Sequence, residues 1–288
     1  MSCTCTSGGD NTGVPFCSTL QGVPHSLILV PKYKDDGTLN YIDLDSDTIS
    51  ASYIEGKINE TNWQDRWYPL PFMENVETTR EDSQTETPSS GNIYRIKQGV
   101  RSYSAELFQK SPTLLAKLEE WLCKDFGFYE VDNNGSIAGS LSKDGTKLYP
   151  RYVLKGSFDP KYQYTTDTSV PKVQIMFQYA PSVKDAEIGI ITSDNTGDAD
   201  LLTLNGLFDI KFKDEIATTD AISVDVVLEY GDAISPNKVE GLVVADFTVV
   251  NVTQAGATET VTVFEGDDGY TLTFDSAVSA SDELKVKV

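Results

Sequence analysis

The sequence predicts a mainly β protein: a β-sandwich or barrel flanked by one α-helix, followed by a smaller all-β sandwich. Three observations carry this. Gly, Thr, Ser, Asp and Val are abundant while long Leu/Ala/Glu/Lys runs are rare, a balance that favours strands and turns. Apolar and polar residues alternate with a period of two through 102–107 and 172–179, as in half-buried strands. Only one stretch, 111–125, carries a convincing helical stripe. With 288 residues, 39% hydrophobic and 10% aromatic, the chain can bury one or two cores.

The elements follow in order. HSLILVPKY (25–33) reads as a first strand, ended by Pro31. Asp36-Gly37 marks a turn into a second strand near residue 44. Residues 93–108 return to strand chemistry, with Tyr103, Ala105 and Leu107 on one face. SPTLLAKLEEWLCKD (111–125) is the helix, with Ser111 to cap it and Pro112 in its first turn. Leu114, Leu115, Leu118, Trp121 and Leu122 form its apolar stripe, which is expected to face a core. Asn134-Gly135 predicts a hairpin with a type I′ turn. Residues 146–158 and 171–180 continue the sheet, with Val173, Ile175, Phe177 and Tyr179 on the inner face.

The character changes after Pro181, and SDNTGDAD (193–200) is polar. These features divide the chain into a first domain at 1–190, a linker at 191–204 and a second domain at 205–288. Strands are expected in the second at 207–213, 221–230, 241–252, 258–264, 269–275 and 283–288. Six short strands with no helix signal read as an immunoglobulin-like sandwich.

The formal net charge is −21, which argues against gripping nucleic acid or an anionic membrane. Residues 1–200 carry 18 basic and 28 acidic side chains; residues 201–288 carry 5 and 16. No stretch reaches the roughly 18–20 apolar residues of a membrane span, and the first residues read as no secretory signal. A cytoplasmic site of folding is therefore expected. Cys3, Cys5, Cys17 and Cys123 do not form paired C-x-x-C motifs. Reduced thiols are the first reading, an N-terminal disulfide the second, and zinc the least supported.

No catalytic constellation emerges. A nucleophilic triad would need His25, the only histidine, on what reads as a buried strand edge. The phosphate-binding and dinucleotide-binding glycine motifs are missing. DLDSDT (43–48) begins like a calcium loop but has Thr48 and Ile54 where Gly and an acid are needed. No enzyme activity, metal or cofactor is expected.

One feature interrupts this pattern. Residues 77–92 contain no aliphatic or aromatic side chain, yet strand patterns flank them. A polar run this long is either a disordered linker or a loop whose partner is another molecule. The segment 74–92 carries Glu74, Glu77, Arg80, Glu81, Asp82 and Glu86, charges of both signs.

Residues 10–190 resemble the major tail tube proteins of long-tailed bacteriophages. The resemblance lies in NTGVPFC with ILVPKY, RWYPLPFMENVETTREDS, GVRSYSAELF, SPTLLAKLEEW, DNNGSIAG, DGTKLYP and TTDTSVPKVQIMFQYA, in that order. Residues 205–288 are similar to the Ig-like domains appended to such virion proteins. The resemblance implies a tail-tube β-sandwich that assembles into stacked hexameric rings in the host cytoplasm and resides in the virion tail. Its implied partners are other copies of itself and the tape measure, tail terminator and distal tail proteins. DNA would pass through the channel without specific binding, and the Ig-like domain would decorate the outside, where host surface glycans are a candidate contact. The polar run becomes the long loop that touches the adjacent ring. The alternative is a capsid decoration or head-fibre protein with a glycan-binding Ig-like domain.

Overall fold

The computed structural model describes residues 19–197, 199–207, 209–228, 237–254, 256–266 and 269–287, with Asp214 as backbone alone. Cys3, Cys5 and Cys17 lie outside the described residues; Cys123 is an exposed free thiol. The chain is mainly β, with two α-helices among the described residues, and divides into two compact units between Leu207 and Phe208.

In chain order the first unit holds β1 (Pro24–Pro31), β2 (Ile42–Asp43), α1 (Ala51–Ile58), β3 (Tyr68–Pro69), β4 (Glu74–Arg80), β5 (Gln84–Glu86), β6 (Tyr94–Lys97) and β7 (Arg101–Phe108). Then come α2 (Pro112–Glu119), β8 (Phe126–Asp132), β9 (Ile137–Leu141), β10 (Lys147–Tyr149), β11 (Arg151–Tyr152), β12 (Asp159–Gln163), β13 (Lys172–Gln178) and β14 (Ile188–Ile191). The larger sheet runs β2-β10-β9-β8-β1-β3, with β11 also paired to β8 and β14 to β9. A four-stranded sheet runs β12-β13-β7-β4, and β5 and β6 pair only with each other.

The apolar run of β1 reflects burial on both faces. Leu27 and Leu29 point into one core, Ile28 and Val30 into another. β8 splits likewise, Phe126 and Phe128 one way, Tyr129 and Val131 the other. The four-stranded sheet covers the first face with Tyr103, Ala105, Leu107, Val173, Ile175 and Phe177, as their alternation predicts. On the second face α1 contributes Ile54 and Ile58, joined by Ile49, Trp67 and Leu201.

Several expectations need correction. The helix α1 is additional to the one predicted. Its signals were Ser50, whose side chain accepts from the Tyr53 N–H at 3.3 Å, and the i,i+4 pair Ile54 and Ile58. The helix expected over 111–125 ends at Glu119, and Ser111 makes no side-chain cap bond. Leu118 and Trp121 are buried and Leu114 packs against the core, but Leu115 is half-buried and Leu122 is 41% exposed. Beyond Glu119 the backbone tightens into i→i−3 turns, with the Trp121 N–H donating to Leu118 O and the Leu122 N–H to Glu119 O, and this change of pitch carries Leu122 off the buried stripe.

The Asn134-Gly135 turn joins β8 and β9, but only Gly135 has a positive φ, 74°. The Gly135 N–H donates to Asp132 O, giving a type I turn closed by a left-handed glycine instead of type I′. The Asp132 carboxylate accepts from the Asn134 and Ser136 N–H groups at 2.9 Å and holds this geometry. Residues 191–204 are no linker. β14 pairs with β9, and Leu201 is buried with Ala199 and Leu204 packed beside it.

The second unit contains β15 (Ile210–Ala217), β16 (Ala221–Leu228), β17 (Thr248–Asn251), β18 (Ala257–Glu259), β19 (Val261–Gly266), β20 (Gly269–Phe274) and β21 (Leu284–Lys287). The sheets β15-β16-β20-β19 and β18-β17-β21 share one core around Val224, Val226, Val249, Tyr270 and Leu272. The strand expected over 241–252 is confined to Thr248–Asn251, behind a 3₁₀ turn at Val244–Asp246.

The shortened helix gives a direct prediction. Leu118→Ala should lower stability by about 2–5 kcal/mol in denaturant unfolding, as for a buried leucine. Leu122→Ala should change it by less than about 0.5 kcal/mol, as for an exposed position. Equal losses would contradict the end of α2 at Glu119.

Candidate functional site: an exposed β-ribbon

The polar run at 74–92 is strand and hairpin, not a loop. β4 pairs with β7 from Glu74↔Glu106 to Arg80↔Arg101. The Glu81 N–H donates to Val100 O at 3.0 Å, and pairing resumes between β5 and β6. The result is one long hairpin: its base lies in the four-stranded sheet and its distal half, 82–99, projects as a ribbon. At the tip the Gly91 N–H donates to Pro88 O at 2.9 Å, and Gly91 takes φ 76°. The two chains approach closely enough at the base that a Cβ on Gly99 would lie 1.7 Å from Glu81 O.

Residues 77–92 offer nothing apolar to bury, so the ribbon has no core. Every residue from Gln84 to Gln98 is exposed. The returning strand nevertheless carries Ile93, Tyr94 and Ile96, exposed by 72%, 55% and 65%. A lone two-stranded hairpin is marginally stable in water.

A cluster of charges holds the base. The Arg101 guanidinium donates from Nε to Asp185 Oδ1 at 3.0 Å and lies 2.9 Å from Oδ2 through Nη2. Arg80 also reaches Asp185 Oδ2. Burial pushes the Asp185 carboxyl pKa up, but hydrogen bonding to Arg101 and the charges of Arg101, Arg80 and Arg151 outweigh it and leave it lowered. The Tyr179 N–H donates to Arg101 O at 2.9 Å, tying the ribbon base to the end of β13.

Beneath this base lies a buried polar cluster. Glu130, 1% exposed, faces the core between the two sheets. Its Oε1 accepts from Arg151 Nη1 at 2.5 Å and from the Tyr179 hydroxyl, and its Oε2 accepts from Gln21 Nε2. The Arg151 guanidinium also sits 4.2 Å above the Tyr179 ring. Burial pushes the Tyr179 hydroxyl pKa far up, and Glu130 adds to it, so Tyr179 remains a proton donor. Asp132 Oδ2 takes the Gly22 N–H at 2.9 Å, and the Tyr103 hydroxyl donates to Pro24 O. Together these bonds fasten the chain before β1.

The structure separates the six charged residues singled out by sequence. Glu74, Glu77 and Arg80 belong to β4, Glu81 closes the base against Val100, Asp82 starts the ribbon, and Glu86 ends β5. Arg80 serves the clamp on Asp185. The run alone did not reveal Asp185, Arg101, Arg95, Lys97 or the apolar trio, because each becomes relevant only through hairpin register or tertiary contact. His25 is half-buried on β1, with Nδ1 2.8 Å from Met73 O and its ring stacked on Phe72. Among the described residues no His/Cys/Asp/Glu group is placed to hold a metal, and no helix is long and apolar enough to cross a membrane. No protein family, curated protein or solved structure matches the chain.

The clamp should be acid-sensitive. A carboxylate whose folded pKa is depressed adds stability above its unfolded pKa of about 3.9, and that stability is lost as pH falls through the folded value. Hydrogen exchange at the Glu81 amide should therefore be flat above pH 5 after correction for intrinsic rate, and accelerate below pH 4. Asp185→Asn should accelerate it at every pH while lowering global stability by no more than about 1 kcal/mol, as for exposed ion pairs. Unchanged exchange in that variant would show that Asp185 does not hold the ribbon.

Proposed function

We propose that this chain is a self-assembling structural protein of the tail tube type, whose first unit builds the tube wall and whose second, Ig-like unit decorates it. The observation that carries the reading is the ribbon. It exposes three large apolar side chains on a hairpin whose strands β5 and β6 pair with no other strand among the described residues. Such a ribbon fits a protein whose missing contacts come from other copies.

Two further features support it. The four-stranded sheet ends in β12 and β4, open edges that pair with no other strand among the described residues. Open edges template further pairing, and joining them between copies removes them. The outward face of that sheet is largely polar, with Ser102, Ser104, Gln174 and Gln178 beside Met176 between the buried positions. Its cations are matched: Lys172 contacts Glu106 at 2.5 Å, and Lys161 contacts Asp159 at 2.6 Å. A wall without free cations would let a polyanion slide, whereas about 1 kcal/mol per contact, repeated over many rings, would hold it.

The second reading, a capsid decoration protein with a glycan-binding domain, draws on the outward face of β15-β16-β20-β19. Phe264, Thr271, Ser223 and Ile216 lie in one row across the four strands, with Phe264 70% exposed.

Electron microscopy of the purified full chain over a concentration series distinguishes them: rings or tubes are expected, and monodisperse monomers throughout would overturn the assembly reading. Deleting 83–98 joins Asp82 to Gly99 inside the Glu81–Val100 pair and creates a two-residue Asp-Gly hairpin turn. This variant should keep the wild-type melting profile and lose assembly. Normal tubes from it would remove the ribbon from the mechanism.

A further inference from the structure

The outward face of the four-stranded sheet carries a triad that the ribbon does not use. Lys172 on β13, Glu106 on β7 and Asn75 on β4 occupy three neighbouring strands, with Glu106 in the middle. Lys172 Nζ donates to Glu106 Oε1 at 2.5 Å, and Asn75 Nδ2 donates to Oε2 at 2.7 Å. One carboxylate therefore holds an amine and a carboxamide side by side. The backbone is shaped for this contact. From Glu74↔Glu106 to Glu77↔Ser104, β4 advances three residues while β7 advances two, which is a β-bulge. The extra residue lets Val76 pack on the core while Asn75 turns to Glu106, and Asn75 takes a left-handed φ of 50°. The Lys172 and Glu106 side chains are only 19% and 14% exposed, and Lys172 Nζ sits 5.5 Å from the Phe108 ring centroid.

We propose that Lys172 and Asn75 become joined by an amide bond between their side chains, with Glu106 transferring the proton. Lys172 Nζ passes a proton to Glu106 Oε1 along their hydrogen bond and becomes a neutral amine. Its lone pair attacks Asn75 Cγ, and the bond from Cγ to Nδ2 breaks. Glu106 returns the proton to the departing nitrogen. A lysine ammonium and a carboxamide are thus converted into a secondary amide and an ammonium ion, and no further reagent enters the balance. Holding both reactants on one carboxylate supplies the proximity that the step needs. Burial pushes the Glu106 carboxyl pKa up, but hydrogen bonds from Lys172 and Asn75 and the Lys172 charge outweigh it and leave it lowered. The carboxylate is therefore the resting form, proton transfer to it is transient, and the bond forms slowly after folding. Asn75 is exposed, which gives the released ammonium a way out. The link staples β4, which continues into the ribbon, to β13 across β7, and it closes the chain between residues 75 and 172 into a loop. It stands independently of whether the chain builds tubes.

Intact-mass spectrometry of the purified full chain, incubated in the folded state and then denatured, tests the link. Wild-type protein should convert to a species lighter by the mass of one ammonia, and a tryptic digest should yield one branched peptide that contains Asn75 and Lys172. Lys172→Arg and Glu106→Gln should each keep the full mass, with circular dichroism reporting a cooperative melt. The wild type should also gain in melting temperature over Lys172→Arg as incubation proceeds, because only the wild type acquires the closed loop. Should Glu106→Gln not fold, Lys172→Arg alone decides, since it retains a cation beside Glu106. Wild-type protein that keeps its full mass, that gains mass by hydrolysis of Asn75 to aspartate, or that loses ammonia equally in the variants would overturn the proposal. The last result would place the loss elsewhere, as in a succinimide at Asn134-Gly135, which needs neither Lys172 nor Glu106.

Discussion

The buried ion pair of Glu130 and Arg151 is the constraint on which the first unit is arranged. Their side chains are 1% and 3% exposed, and their charged atoms sit 2.5 Å apart. A buried pair is not a source of stability by itself, because desolvating both ions offsets the attraction between them. Its consequence is positional. An unpaired buried charge is strongly destabilising, so β8, β11 and the end of β13 must meet wherever Glu130, Arg151 and Tyr179 meet. Gln21 adds the chain before β1 to the same point. The alternating apolar faces already resist a one-residue slip, which would turn every buried side chain outward; a carboxylate shared by three donors also resists a two-residue slip, which would keep the faces but separate these partners.

That point lies directly under the ribbon base. Arg101 is bonded through its carbonyl to Tyr179 and through its guanidinium to Asp185, and Arg151 contributes to the field at Asp185. The ribbon thus leaves the body from its most firmly specified end. The distal half contrasts with this: a hairpin with no buried side chain has little to hold it beyond its own ladder. A rigid root with a soft arm suits an element meant to be completed elsewhere. The root fixes where the arm starts, and the partner supplies the burial that the sequence omits.

Much of this was legible in the residues. Period-two alternation placed β7 and β13 and their buried faces, because one face of each is packed and the other is wet. The apolar run of β1 indicated burial without indicating that both faces were involved. Other features were hidden for identifiable reasons. The helix α1 has only two buried positions, Ile54 and Ile58, too few for a clear stripe. The polar run reads as a loop because β4 and β5 carry no apolar alternation to mark them as strands. Their pairing is set by β7 and β6, a property of the partner strand. The segment 191–204 is rich in Asp, Asn, Thr and Gly and resembles a linker, yet one buried leucine, Leu201, docks it against the second core.

The total charge sharpens what the ribbon must accomplish. Chains with a net charge of −21 repel one another, so association needs a contact that outweighs repulsion at close range. Physiological salt screens exposed charges over about 8 Å, which weakens the field between bodies set farther apart than that. The same acidity that keeps unassembled chains apart makes close approach costly, so on the assembly reading the burial of Ile93, Tyr94 and Ile96 against another copy has to outweigh it.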